Sequence, residues 1–177
     1  MPPPIQVRLL PHDPRWPGSA AVEAELVGRA VGPTLLTVHH VGSTAIPGIH
    51  AKPILDLMPV VRELAALDGR HHDMETSGYE SWGELGLPGR RYYTKTDPVT
   101  GRRLIQLHCY EDGSSEIVRH LAFRDYLRAN PDMAADYDRV KVHCQRLHPD
   151  DSHAYGDCKG AWITAAEADA LEWYRNR

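Results

Sequence analysis

The apolar and polar positions fall into blocks with helical or strand periodicity, and their order is informative. Leu35–Val41 is apolar and β-branched. Ile54–Val61 is an almost unbroken apolar run, so both predict strands, the second buried on its two faces. Arg91–Lys95 and Arg103–Tyr110 predict a strand pair, because Asp97-Pro98-Val99-Thr100-Gly101 between them is turn chemistry. Ser77–Gly89 reads as loop with one short strand. A helix capped by Ser19 is expected to run to Val31, with Ala20, Val22, Leu26, Val27 and Ala30 as its apolar stripe, and Gly32-Pro33 stops it. Glu63–Thr76 is helical but weakened at Gly69. Glu116–Ala129 ends before Asn130-Pro131. In Asp132–Leu147, Met133, Tyr137, Val140, Cys144 and Leu147 recur on one helical face. HPDDSHAYGD then predicts a polar loop, and Lys159–Tyr174 a final helix burying Trp162, Ile163, Ala166, Ala170 and either Trp173 or Tyr174.

The proline-rich entry, Pro2 to Pro17, allows at most a short edge strand at Ile5–Leu10. Helix, two strands, helix, strands and three helices imply an α+β domain spanning 1–177: a small mixed β-sheet with flanking helices and a C-terminal helical cluster.

The chain has 177 residues, 42% hydrophobic and 25% charged, which suits a globular domain with a sizeable core. Its net charge of -4 gives no global basic field, so nucleic acid is not an expected partner. No apolar run approaches a membrane span or a signal peptide, so no membrane partner is expected and the expected location is the cytoplasm. Cys109, Cys144 and Cys158 lack CxxC spacing and read as reduced thiols, with Cys109 facing the core.

The chemistry concentrates in LLTVHHVGSTAIPGIHAKPILDLMPVV at 35–61. Gly42 lets the backbone approach a ligand, and Ser43 adds a hydroxyl able to donate to a phosphate oxygen. Asp56 stands among Ile54, Leu55, Leu57 and Met58, where a carboxylate needs a pairing cation or a metal. A plainer role for it is an ion pair with Lys52 or an arginine. Lys52, Arg91, Lys95, Arg119 and Lys159 are basic residues beside these segments and, if convergent, would bind a triphosphate. His39 and His40 alternate on the first strand. One of them, His40 in this assignment, with Asp56 and His108 would make a site of two histidines and a carboxylate. Tyr92, Tyr93, Tyr110 and Tyr126 are either base-stacking or core aromatics.

Gly-Ser followed about a dozen residues later by an Asp in an apolar strand resembles the signature of the nucleotidyltransferase superfamily. HHVGSTAIPGIHAKPILDL, GLPGRRYYTK, QLHCY and RHLAFRDYLRANP, in that order, resemble the GrpB family, as do the closing Tyr155, Lys159 and Trp173-Tyr174. The resemblance implies the nucleotidyltransferase fold. With the residues above, the expectation is a divergent, metal-assisted nucleotidyltransferase-like protein that binds a nucleoside triphosphate and an unknown small-molecule acceptor. Asp56 and His108 would be catalytic, Gly42, Ser43, Lys52, Arg91, Lys95, Arg119 and Lys159 would bind phosphate, and Asp56, His108 and His40 would hold Mg or Mn. Active superfamily members carry a second acid two residues after the first, where this chain has Met58, and a third on a following strand, where it offers Gln106 and His108. One Asp holds a metal pair poorly. Two other expectations follow: a non-catalytic nucleotide- or anion-binding module, or a mononuclear metalloenzyme using Asp56 and histidines.

Overall fold

A computed structural model describes residues 1–177. Its elements are α1 (Trp16–Val31), β1 (Leu35–Val41), β2 (Leu55–Val61), α2 (Leu64–Asp68), α3 (His71–Thr76), β3 (Tyr79–Ser81), β4 (Arg90–Thr96), β5 (Arg103–Glu111), α4 (Ser115–Ala129), α5 (Pro131–Leu147) and α6 (Ser152–Arg175). They form two compact units. The first holds residues 15–42 and 54–117 with Met1, and the second holds 2–14, 43–53 and 118–177.

The first unit is a five-stranded mixed sheet of order β1-β2-β5-β4-β3. β2 and β5 are parallel and every other pair is antiparallel. The α+β class and the mixed sheet are as expected. The interior position of β2, between β1 and β5, explains its apolar run: Leu57, Met58, Val60 and Val61 are all buried. Pro59 has no N–H to give a ladder, and the β2–β5 pairing runs through Leu57↔Leu107 and resumes at Val60↔Tyr110. The β4–β5 hairpin is closed by Asp97, whose Oδ1 accepts from the N–H groups of Val99 and Thr100 at 2.8 and 3.1 Å.

α1 packs on β1 and β2, and α3 on β3. α1 begins at Trp16, ahead of the expected cap at Ser19, because Pro17 fits the first turn, where no amide partner is needed. Val22 of its expected stripe is exposed. The expected Glu63–Thr76 helix divides into α2 and α3 around Gly69.

The second unit is built from α5, α6 and most of α4, with two extended segments. Of the suggested N-terminal edge strand only a bridge between Leu10 and Ala51 forms. One core cluster contains Ile46, Ile49, Leu127, Ala134 and Tyr137. Another contains Val7, Cys144 and Tyr155, with Leu9, Val140 and Cys158 against it.

Two expectations fail here. HPDDSHAYGD is largely helical: α6 starts at Ser152, capped by Asp151, whose side chain accepts from the amides of His153 and Ala154. Gly156 and Gly160 lower its helix propensity by about 1 kcal/mol each, which hid the start from a sequence reading. Cys144 and Cys158 are not reduced thiols but a disulfide joining α5 to α6, with Cα atoms 5.8 Å apart. Cys109 is buried as expected, and burial pushes its thiol pKa up. No helix is long and apolar enough to cross a membrane.

Candidate functional site

The register of the sheet decides which side chains share a surface. Asp56 on β2 lies opposite Val41 of β1 and Gln106 of β5. Side chains alternate along a strand, so Asp56, Gln106 and His108 share one face. His108 Nε2 stands 3.3 Å from Asp56 Oδ1, and the two side chains are 17% and 25% exposed. The His108 ring meets Tyr92 edge-on, with centroids 5.2 Å apart. Tyr92 is opposite His108 in the hairpin register. Burial, and then the Asp56 charge, push its hydroxyl pKa well above the ordinary tyrosine value. The plainer partners suggested for Asp56, Lys52 or an arginine, give way to this imidazole.

Gly42 follows β1 directly, with φ +69°. A Cβ built there would lie 2.5 Å from Asp56 Oδ2 and 2.9 Å from Asp56 Cβ. Both the backbone conformation and the space therefore demand glycine. Ser43 opens a single 3-10 turn, Ser43–Ala45.

The same alternation removes three assigned residues from this face. His40 is opposite Leu57, one residue out of phase with Asp56, so it points to the other side of the sheet. Arg91 and Lys95 are opposite Cys109 and Ile105, again on the far face. There Arg91 makes a bidentate pair with Asp68 at 2.7 and 2.8 Å. This pair raises the Arg91 pKa and lowers that of Asp68. Lys95 Nζ meets Glu23 Oε1 at 2.8 Å. Arg119, from α4, is tied to Glu167 of α6. Arg91, Lys95 and Arg119 are thus each engaged in an ion pair away from Asp56, and His40 lies on the opposite face of the sheet from it. His39 does share the Asp56 face, opposite Met58, yet no three His, Cys, Asp or Glu side chains come together as a metal cage. The two-histidine, one-carboxylate centre is not assembled.

Met58, where a second acid would stand, is fully buried. The donor set at Asp56 therefore fits magnesium or manganese only in the mode that takes one carboxylate together with substrate phosphates and water. A metal so held would neutralise phosphate charge.

Lys52 and Lys159, both assigned to phosphate, do come together in the second unit. Lys159 Nζ lies 4.2 Å from the centroid of the Tyr155 ring, and Lys52 Nζ lies 5.6 Å from it. Lys159 also stands over Tyr137 at 6.0 Å, and Lys141 over the same ring at 4.9 Å. Tyr137 stacks on Trp162 with centroids 4.9 Å apart. Two tyrosine rings thus hold three ammonium groups.

Sequence reasoning assigned no role to four participants. Lys141 is 1% exposed and donates to the His50 carbonyl. Burial, with the Lys159 charge adding to it, lowers its pKa to about 8 against the pull of Asp138. His50 is bound twice by Asp138: its amide donates to Oδ1 at 2.7 Å and its Nδ1 lies 2.8 Å from Oδ2. Arg90, one residue from the assigned Arg91, is on the His108 face and covers the Tyr92 ring at 5.1 Å. Strand parity was the available signal for Arg90. Nothing local marked Lys141 or the His50–Asp138 pair, whose members are 88 residues apart. Tyr92, Tyr93 and Tyr110 are buried, and Tyr126 packs edge-on against Trp173 at 5.7 Å, so these four are core aromatics.

Known proteins resemble this chain in sequence and fold. A crystal structure of conserved protein GrpB from Enterococcus faecalis superposes with a TM-score of 0.88 at 38% identity, covering 94% of this chain and 99% of that one. Protein YqkA of Bacillus subtilis, a UPF0157 protein, is 37% identical over 172 residues, 97% of this chain. The chain spans 49% of that relative's length. The structure of Cid1 in complex with its short product ApU gives a TM-score of 0.52 at 12% identity, covering 77% of this chain and 42% of Cid1. At that identity the likeness is one of fold: the nucleotidyltransferase fold. With the family model described as GrpB protein matching residues 6–169, the chain belongs to the GrpB family.

Proposed function

We propose that the protein binds a nucleoside triphosphate together with a small-molecule acceptor, as a divergent, metal-assisted nucleotidyltransferase-like protein. The observation that carries this reading is the close approach of Gly42 to Asp56. A glycine at positive φ ends one strand against the carboxylate of the next, and the pair has no packing need for an acid. In the first unit Asp56 takes magnesium or manganese, and the backbone at Gly42 admits a phosphate oxygen. His108, oriented by Asp56 and Tyr92, carries a proton. The second unit, taken by itself, offers an anion the Ser43 hydroxyl as a donor and the positive charge of Lys52 and Lys159.

The test is a calorimetric titration with ATP and the other nucleoside triphosphates, each with and without magnesium or manganese. Metal-dependent binding is expected, and Asp56→Asn should abolish the metal dependence. No detectable binding of any triphosphate at about millimolar concentration, the weak end of specific association, sinks the reading.

A second reading is favoured by one observation, the fully buried Met58. With no second acid and Gln106 opposite Asp56, the Asp56 face suits a non-catalytic nucleotide- or anion-binding module. That reading expects equal affinity with and without metal, and no product.

A further inference from the structure

We propose that the Cys144–Cys158 disulfide is a reversible thiol switch that sets the anion affinity of the second unit. This rests on the reading of Lys52 and Lys159 as phosphate-binding groups.

The link from sulfur to lysine is one of direct packing. The disulfide joins α5 to the second turn of α6. Cys144, Cys158 and Tyr155 belong to one apolar cluster with Val7, Leu9 and Val140. Tyr155 is the ring on which both Lys159 and Lys52 stand. Lys159 follows Cys158 immediately, and Tyr155 is one turn before it. The other ring of the cluster, Tyr137, comes from α5 with Lys141. The cross-link therefore holds α5, which carries Tyr137 and Lys141, and α6, which carries Lys159 and the Tyr155 ring under Lys52, in a single arrangement.

The segment it pins is poorly helical by itself. Gly156 and Gly160 flank Cys158 inside α6, and a Cβ at either would meet nothing within 4 Å. Neither is among the positive-φ glycines. Neither space nor backbone conformation asks for glycine at these two positions. Their physical effect is to raise the entropy lost on forming the first turns of α6. Those turns depend on the Asp151 cap at one end and the disulfide in the middle. Breaking the S–S bond leaves Tyr155 and Lys159 on a helix start that frays.

The exchange chemistry has one accessible end. Cys158 is partly exposed and Cys144 is buried. A thiolate of an external dithiol attacks Cys158 Sγ, forming a mixed disulfide, and Cys144 leaves as a thiolate that takes up a proton. The second thiol of the reductant then closes its own disulfide and releases Cys158 as a thiol. Two electrons and two protons pass to the protein, and the dithiol is oxidised. Cys109, buried in the sheet of the first unit, takes no part.

The experiment uses the whole chain, oxidised and after reduction with dithiothreitol. Thiol alkylation confirms that two cysteines become reactive, and inorganic tripolyphosphate serves as the calorimetric probe at fixed ionic strength. Reduction should weaken tripolyphosphate binding by about tenfold. Hydrogen exchange should speed up at residues 152–160 and stay unchanged in the sheet of the first unit. Cys144→Ser should reproduce the reduced state. Gly156→Ala with Gly160→Ala, which restores helix propensity without touching the ligand groups, should bring the reduced affinity back to within about threefold of the oxidised value. Equal affinity in both redox states, or unchanged exchange at 152–160 on reduction, overturns the switch while leaving the anion site standing. Binding by neither form overturns the anion site itself, and the coupling with it.

Discussion

A methyl group on the Cα of Gly42 would lie 2.5 Å from the carboxylate oxygen Oδ2 of Asp56. That spacing is well inside van der Waals contact, and it falls at a backbone φ of +69° that side-chain-bearing residues avoid. The strand-end glycine and the acid thus define each other's position. Gly42→Ala should destabilise the protein by about 1–3 kcal/mol and turn Asp56 away from His108. Urea unfolding measures the first effect, and the NMR shifts of the His108 ring measure the second. A variant with wild-type stability and an unmoved imidazole would show that the approach is not a constraint.

The His50–Asp138–Lys141 group makes a graded stability prediction. Asp138→Ala removes the partner of a buried ammonium and of two His50 donors, so it should cost about 3 kcal/mol. His50→Ala removes one side-chain hydrogen bond and should cost about 1 kcal/mol. His50→Asn, whose amide can still donate to Asp138, should cost less than His50→Ala. Chemical denaturation gives the order, and a His50→Ala loss as large as that of Asp138→Ala would contradict it.

Lys141 makes stability depend on alkaline pH. Its folded pKa of about 8 lies below the ordinary 10.5. Between those values the unfolded chain binds more protons than the folded one, so stability rises with pH across that window. The cost of burying the charge is fully present below about pH 8. Lys141→Met has no such proton. The stability of the wild type relative to Lys141→Met should improve by roughly 3 kcal/mol between pH 8 and pH 10.5. Denaturation curves at pH 7, 8, 9 and 10 read this difference. A difference that is flat in pH would show that the lysine is not held against its charge.

Several things were legible in the chain itself. An apolar, β-branched stretch announced β1 and an almost unbroken apolar run β2, the Asp97–Gly101 turn announced the β4–β5 hairpin, and the spacing of Tyr137 and Cys144 announced α5. The GST–PG–KP–D segment pointed to the family and its fold. These are local properties: a helix or strand is encoded by residues within a few positions of one another. Tertiary structure decided the rest, because periodicity says that a strand has two faces and not which face meets what. Only the register of β4 on β5 put Arg90 on the His108 face and sent Arg91 and Lys95 to Asp68 and Glu23. Only the packing of α5 on α6 brought Cys144 to Cys158 and Lys159 over the Tyr137 ring, and only the fold of the second unit carried Lys52 to Tyr155. The start of α6 escaped notice because two glycines weaken the local signal while the cap and the cross-link, one of them fourteen residues across, hold the helix.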